Sequence, residues 1–207
     1  MARSCMRWMQ RFGVALLALF LVQLAACRSA SVRSHAAAHA AAPARDRGDA
    51  PGGPRPAVIG ATEGERRLLR AGAAPLYIKV DPITTGSQRM VLGVEDIGPG
   101  DAIRVHRHLQ EDELVFIHRG TATVELGAAT YTAAIGATVF IPQGTCVALA
   151  NAGTDTLTIV FVFSSPGFEQ VLRDLSSREG EPPRVVSPAQ RAAAFEHGHA
   201  VAAPSNC

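Results

Sequence analysis

The chain has 207 residues, 47 % hydrophobic and 18 % charged, enough for one ordinary globular domain and a flexible extension but not for a second full domain. The net charge of +2 conceals a split: residues 1–57 carry eight Arg against Asp46 and Asp49, a net +6, whereas residues 58–207 carry twelve Lys and Arg against sixteen Asp and Glu, a net −4. A nucleic-acid-binding domain concentrates positive charge on its folded face to neutralise phosphates. Here the basic excess lies outside the part that can fold, which argues against that class.

Residues 1–26 read as a leader. Arg3, Arg7 and Arg11 precede an apolar run from Phe12 to Ala26 broken only by Gln23. At about 15 residues the run is shorter than the roughly 20 that span a bilayer, so export rather than a mature transmembrane helix is expected. The run ends in Leu24-Ala25-Ala26-Cys27, which resembles the lipobox of bacterial lipoproteins. The resemblance implies cleavage before Cys27, lipidation of its thiol and attachment to the periplasmic side of the cell envelope by the lipid alone. Several acyl chains anchor stably where one does not, and by likeness to lipoprotein sorting Arg28 favours the outer membrane of a Gram-negative host. The alternative is an ordinary secretory leader that releases a soluble protein.

Residues 27–57 form the next segment, rich in Ala, Pro, Gly and Arg, without apolar periodicity and with repeated helix breakers. Such a segment cannot bury a core and reads as a tether, spanning about 30 Å on average as flexible coil. His35 and His39 stand four apart in it. They could share a helix face to bind metal, but a solvated pair in an Ala tract is the preferred reading.

From residue 75 onward the texture changes to short runs rich in Val, Ile, Thr and Phe: PLYIKV, RMVLGVEDI, AIRVHRH, ELVFIHR, TATVEL, ATYTAAI, TVFIP, TCVALAN and TLTIVFVF. These nine strand candidates recur about every ten residues between Gly, Pro and Asp, the pattern of an antiparallel sandwich or barrel. The domain is placed at residues 58–165. Helical spacing returns only in 166–207, in PGFEQVLRDLSS and SPAQRAAAFEHG, read as C-terminal helices packed on or swapped against the barrel, with Pro166 at a helix start.

The candidate chemistry lies between Gly100 and Gly120. His106 and His108 are two apart on a predicted strand, so both imidazoles leave the same face. Glu113 opens the next strand after a break containing Gln110 and Asp112, and the turn can bring its carboxylate back against the histidines. Gly100, His106-x-His108, Glu113 and Gly120 fit the first motif of the cupin superfamily at every position, and the sequence is similar to the second motif at Gly136, Pro142-x-Gly144 and Asn151. The resemblance covers about residues 75–165, with the following PGFEQVLRDL similar to the helix that trails quercetinase-like cupins. It implies an all-β cupin double-stranded β-helix, a jelly-roll barrel with short C-terminal helices. It also implies one divalent ion, zinc, manganese or iron, on His106, His108 and Glu113.

One departure stands out: Val147 occupies the position where cupins usually place a third histidine. Two His and one Glu remain, and three protein ligands with open positions suit catalytic zinc or non-haem iron. The alternative for the His pair is pocket lining satisfied by Glu113 and water. Cys146 is adjacent, but in a regular strand it points away from the site unless a bulge turns it inward. Arg104 shares the parity of the histidines and is a pocket candidate for an anionic ligand, with a solvated rim position as its alternative. Val115, Ile117 and Val147 are expected to make the pocket apolar, whereas His118 has the outward parity. Cys146 and Cys207 are the thiols left for pairing in an oxidising compartment, or for standing apart.

No Ser/His/Asp pattern, phosphate loop or dinucleotide fingerprint appears. Cupins host enzymes and binding proteins alike, so two readings stand. In one, a metal-dependent oxidoreductase or isomerase acts on a small oxygenated compound, dioxygenase-like by resemblance. In the other, a small-molecule or metal-binding module carries out no chemistry. A homodimer is expected only from the resemblance.

Overall fold

The computed structural model describes residues 53–69 and 74–207. The leader, Cys27 and the His35/His39 pair lie outside the described residues. Among the described residues, twelve strands and two helices follow in chain order. They are β1 (Glu65–Leu68), β2 (Leu76–Val80), β3 (Val91–Ile97), β4 (Ala102–His108), β5 (Glu113–Arg119), β6 (Thr121–Leu126) and β7 (Ala129–Ala134). Then come β8 (Thr138–Ile141), β9 (Cys146–Asn151), β10 (Leu157–Phe163), α1 (Glu169–Leu175), β11 (Ser177–Arg178), α2 (Pro188–His197) and β12 (Ala200–Ala202).

The strands form two antiparallel sheets, one ordered β11-β1-β2-β3-β10-β5-β8 and the other β12-β4-β9-β6-β7. This is a jelly-roll β-sandwich. Alternation explains the layering: in β10, Leu157, Ile159, Phe161 and Phe163 point inward and are buried, whereas Val160 and Val162 are only half-buried. Gly93 on β3 lies beneath Phe161; a Cβ there would stand 2.1 Å from the ring and 2.6 Å from the Tyr77 carbonyl. Gly120, at φ +84°, lets β5 turn directly into β6.

Two apolar clusters fill the interior. One joins Ile97, Val115, Ile117, Val124, Val147 and Leu149 with their neighbours between the sheets. The other joins Leu76, Ile78, Phe161 and Phe163 to Phe168, Val171 and Leu172 of the C-terminal segment. Both helices therefore belong to this barrel's own core. Pro166, expected at a helix start, instead lies in the bend before α1, which begins at Glu169. α2 does use proline, Pro188, in its first turn. There Ser187 Oγ accepts from Gln190 N–H and the Gln190 side chain accepts from Ser187 N–H, a reciprocal cap worth about 1 kcal/mol.

After α2 the chain returns as β12, pairing Ala200 with His108 and Ala202 with His106. A Cys146–Cys207 disulfide, with Cα atoms 5.9 Å apart, then ties the tail to β9. The two thiols left unassigned by sequence thus join. Across the molecule, Arg67 of β1 is buried and donates to Ser176 Oγ and to the carbonyls of Arg173 and Ser176. On β2, Lys79 Nζ donates to the carbonyls of Gly60, Ala61 and Glu63. No helix among the described residues is long and apolar enough to cross a membrane.

Candidate metal centre

β4 brings both histidines inward. Its register against β9 shifts between Ile103 and His106, and beyond the shift His106 stands opposite Val147. His106 and His108 are 5 % and 1 % exposed. Glu113 opens β5, paired with Ile141 and Phe163, so the β4–β5 turn folds its carboxylate back onto the histidines. One ligand atom from each of His106, His108 and Glu113 can be chosen so that all three lie within 4.8 Å of one another.

Hydrogen bonding sets the state of each ring. His106 Nδ1 lies 2.9 Å from the Arg104 carbonyl. A carbonyl only accepts, so Nδ1 carries the proton and Nε2 keeps its lone pair when the ring is neutral. Burial, reinforced by the charge of His108, pushes the His106 pKa down and favours that neutral form. His108 is bracketed by carboxylates, with Nδ1 3.0 Å from Glu111 Oε1 and Nε2 3.0 Å from Glu113 Oε2. Burial works against its charge, but the bonds from Glu111 and Glu113 outweigh it and push the pKa up to about 9. The donor set fits a divalent ion: two imidazoles, one already presenting Nε2, and a carboxylate converge from strands of the two sheets.

The residues around this trio are mostly apolar. Phe168 stacks on His106 at 5.4 Å and meets His108 edge-on at 4.3 Å, while Phe195 of α2 stands 6.4 Å from His106 and Phe163 5.3 Å from His108. Arg104 has an exposed side chain and contributes its backbone carbonyl. Val115 and Ile117 face inward with Glu113 but belong to the packed core rather than to the wall of an open cavity, because apolar side chains from both sheets close over them. Val147 is packed with them and also borders a hollow of about 340 Å³ beside the disulfide, lined further by Val105, Glu125 and Pro204. Cys146 is committed to Cys207 and supplies no ligand. His118 is exposed.

Three residues of the centre do not stand out in the sequence. Glu111 sits in the turn between the histidines and Glu113, where Gln110 and Asp112 draw equal attention; its spacing of three from His108 was the only available signal. Phe168 and Phe195 arrive from more than fifty residues away in the chain, and nothing local announces their destination.

A cupin-domain family profile matches residues 93–163, which include the His/His/Glu trio. With the jelly-roll fold, the match supports the cupin superfamily for this barrel. Among curated proteins, the chain is 27 % identical over 110 residues to a protein named polyketide synthase CurC from Streptomyces cyaneus, covering 53 % of this chain and 70 % of that one. Among solved structures, a predicted oxalate decarboxylase from Thermotoga maritima is similar at 17 % identity and TM-score 0.46, covering 53 % of this chain and 99 % of that one. KdgF from Halomonas sp. is similar at 16 % identity and TM-score 0.46, covering 53 % and 94 %. Resemblance at this level says nothing about substrate.

Proposed function

We propose that this chain is an envelope-anchored cupin that holds one divalent ion on His106, His108 and Glu113 and binds a small organic ligand beside it. The carrying observation is that the three ligand atoms lie within 4.8 Å of one another on buried side chains. When bound, the ion would supply Lewis acidity and open coordination positions. The chain's own contribution is orientation and dryness. Arg104 O fixes the His106 tautomer, Glu113 faces both rings, and Phe168, Phe163 and Phe195 limit water around them. Val147 removes the fourth protein ligand and puts an isopropyl group in its place.

The ligand class is a small oxygenated compound, acted on by dioxygenase-like or other oxidoreductase chemistry. A second reading, capture without turnover, is favoured by the Phe168 ring lying directly on His106. Metal-loaded protein screened for turnover separates the two. Association as a homodimer has one surface in its support: Leu114, Phe116 and Phe140, all exposed, lie on the neighbouring strands β5 and β8.

Titration of the full chain with zinc, manganese and ferrous iron tests the metal reading. Saturable binding of one ion at micromolar metal is expected, with His108→Ala abolishing it. Val147→His should tighten it about tenfold or more, since a fourth protein bond replaces water. Wild type without saturable binding, or His108→Ala binding like wild type, overturns the reading.

A further inference from the structure

We infer that Glu111 is the positioning residue of the metal centre, a carboxylate that holds the His108 ring through Nδ1–H so that Nε2 is aimed at the ion. The inference rests on the metal reading above and extends it by a residue that is not itself a ligand. Four observations carry it.

Glu111 is 1 % exposed and its Oε1 lies 3.0 Å from His108 Nδ1. The other carboxylate oxygen, Oε2, is buried and has no hydrogen-bond partner among the described residues. A buried carboxylate with one oxygen unpaired is costly, and a structural acceptor for an N–H could equally be a backbone carbonyl, as at His106. The charge itself therefore has a use.

The turn that carries Glu111 is fixed from three sides. Leu109 N–H donates to His199 O at 2.8 Å, Gln143 N–H donates to Asp112 Oδ1 at 2.8 Å, and Asp112 N–H donates to Ser164 Oγ at 3.0 Å. The Gln143 side chain also donates to Leu109 O. The carboxylate is thereby held in place before any ion arrives, as positioning requires.

The two imidazoles are also held unequally. His106 has a neutral acceptor on Nδ1 and His108 a charged one, and a carboxylate on the far nitrogen makes a ligating imidazole a stronger donor. Finally, the charges balance. Once the ion takes the place of the proton on His108 Nε2, both rings are neutral and Glu111 and Glu113 together offset its two positive charges in a site surrounded by aromatic rings, where an uncompensated charge would be expensive.

The test uses the full chain and zinc alone. Glu111→Ala should weaken zinc affinity 10–100-fold. Glu111→Gln should fall between that and wild type, because the amide oxygen still accepts from Nδ1–H while the charge is gone. In zinc-loaded, ¹⁵N-histidine-labelled protein, the His108 Nδ1–H signal should be sharp in wild type and in Glu111→Gln, and lost to exchange in Glu111→Ala. A merely structural role would lower the melting temperature of both variants without moving affinity or the Nδ1 signal. Should Glu111→Ala fail to fold, Glu111→Gln decides through its affinity. If wild type binds zinc, His108→Ala does not, and both Glu111 variants bind within twofold of wild type, this inference alone falls. If wild type binds no zinc, the metal reading falls and takes this inference with it.

Discussion

Asp81 shows how a charged side chain can be buried here at all. It is 0 % exposed, and its Oδ1 accepts from the N–H groups of Ile83 and Thr84 and from Thr84 Oγ, while Arg173 of α1 donates to Oδ2 and also to Glu65. Burial by itself pushes the Asp81 pKa up, but the bonds from Thr84 and Arg173 win and hold it below the ordinary carboxylate value. A depressed folded-state pKa contributes stability that is present above the unfolded value, about 3.9, and is lost as pH falls through the folded value. Asp81→Asn should cost about 1–3 kcal/mol at neutral pH and flatten the loss of stability below about pH 4. Urea unfolding across the acid range checks this; an acid limb identical to wild type would discard the assignment. The inward-facing pair His106 and His108 was legible by parity, since period-two spacing on a strand needs no tertiary knowledge. Glu111 was not, because a turn residue has no period and its worth comes from the ring it reaches.

The nine strands read from alternation are β2 to β10, and each appears within a residue or two of its expected run. Those that escaped have no such signal. β1 is Glu-Arg-Arg-Leu, a strand only because Arg67 finds Ser176 and two carbonyls in the C-terminal segment. β11 and β12 are two and three residues long, too short for a pattern, and exist because an edge was there to receive them. β12 and its tail are also where covalent chemistry meets the fold. The Cys146–Cys207 bridge spans 61 residues, and on the chain-entropy account closing a loop of that size is worth about 4 kcal/mol. Cys207→Ser, or reduction of the wild type, should lower unfolding stability by up to that amount. Equal guanidinium midpoints with and without reductant would show that the pairing adds nothing.

For the whole molecule, the proposed envelope location carries a requirement that the Cys146–Cys207 bridge shares, an environment in which thiols are not kept reduced. Under the proposed anchoring, the basic N-terminal region would reach the membrane while the acidic domain carries the buried His/His/Glu cluster. Wild-type protein is expected to enter the detergent phase of a two-phase extraction with Cys27 as its first residue. Cys27→Ala is expected to lose lipid labelling and to stay uncleaved or be released. Wild type in the aqueous phase, or a mature chain beginning elsewhere, would remove the anchor from the proposal and leave the metal centre as it stands.

β12 pairs with β4, the strand that carries both histidines, and it follows directly on α2, whose Phe195 stands over His106. Undocking the arm therefore breaks backbone hydrogen bonds on that strand and at its end, among them Ala203 N–H to Val105 O and Leu109 N–H to His199 O, at 2.9 and 2.8 Å. Amide protons at such sites trade with solvent only during an opening. Leu109 and Ala203 are thus expected to act as clocks built into the backbone: their deuterium uptake should count how often the arm undocks from the histidine strand, ahead of exchange in the interior strand β9.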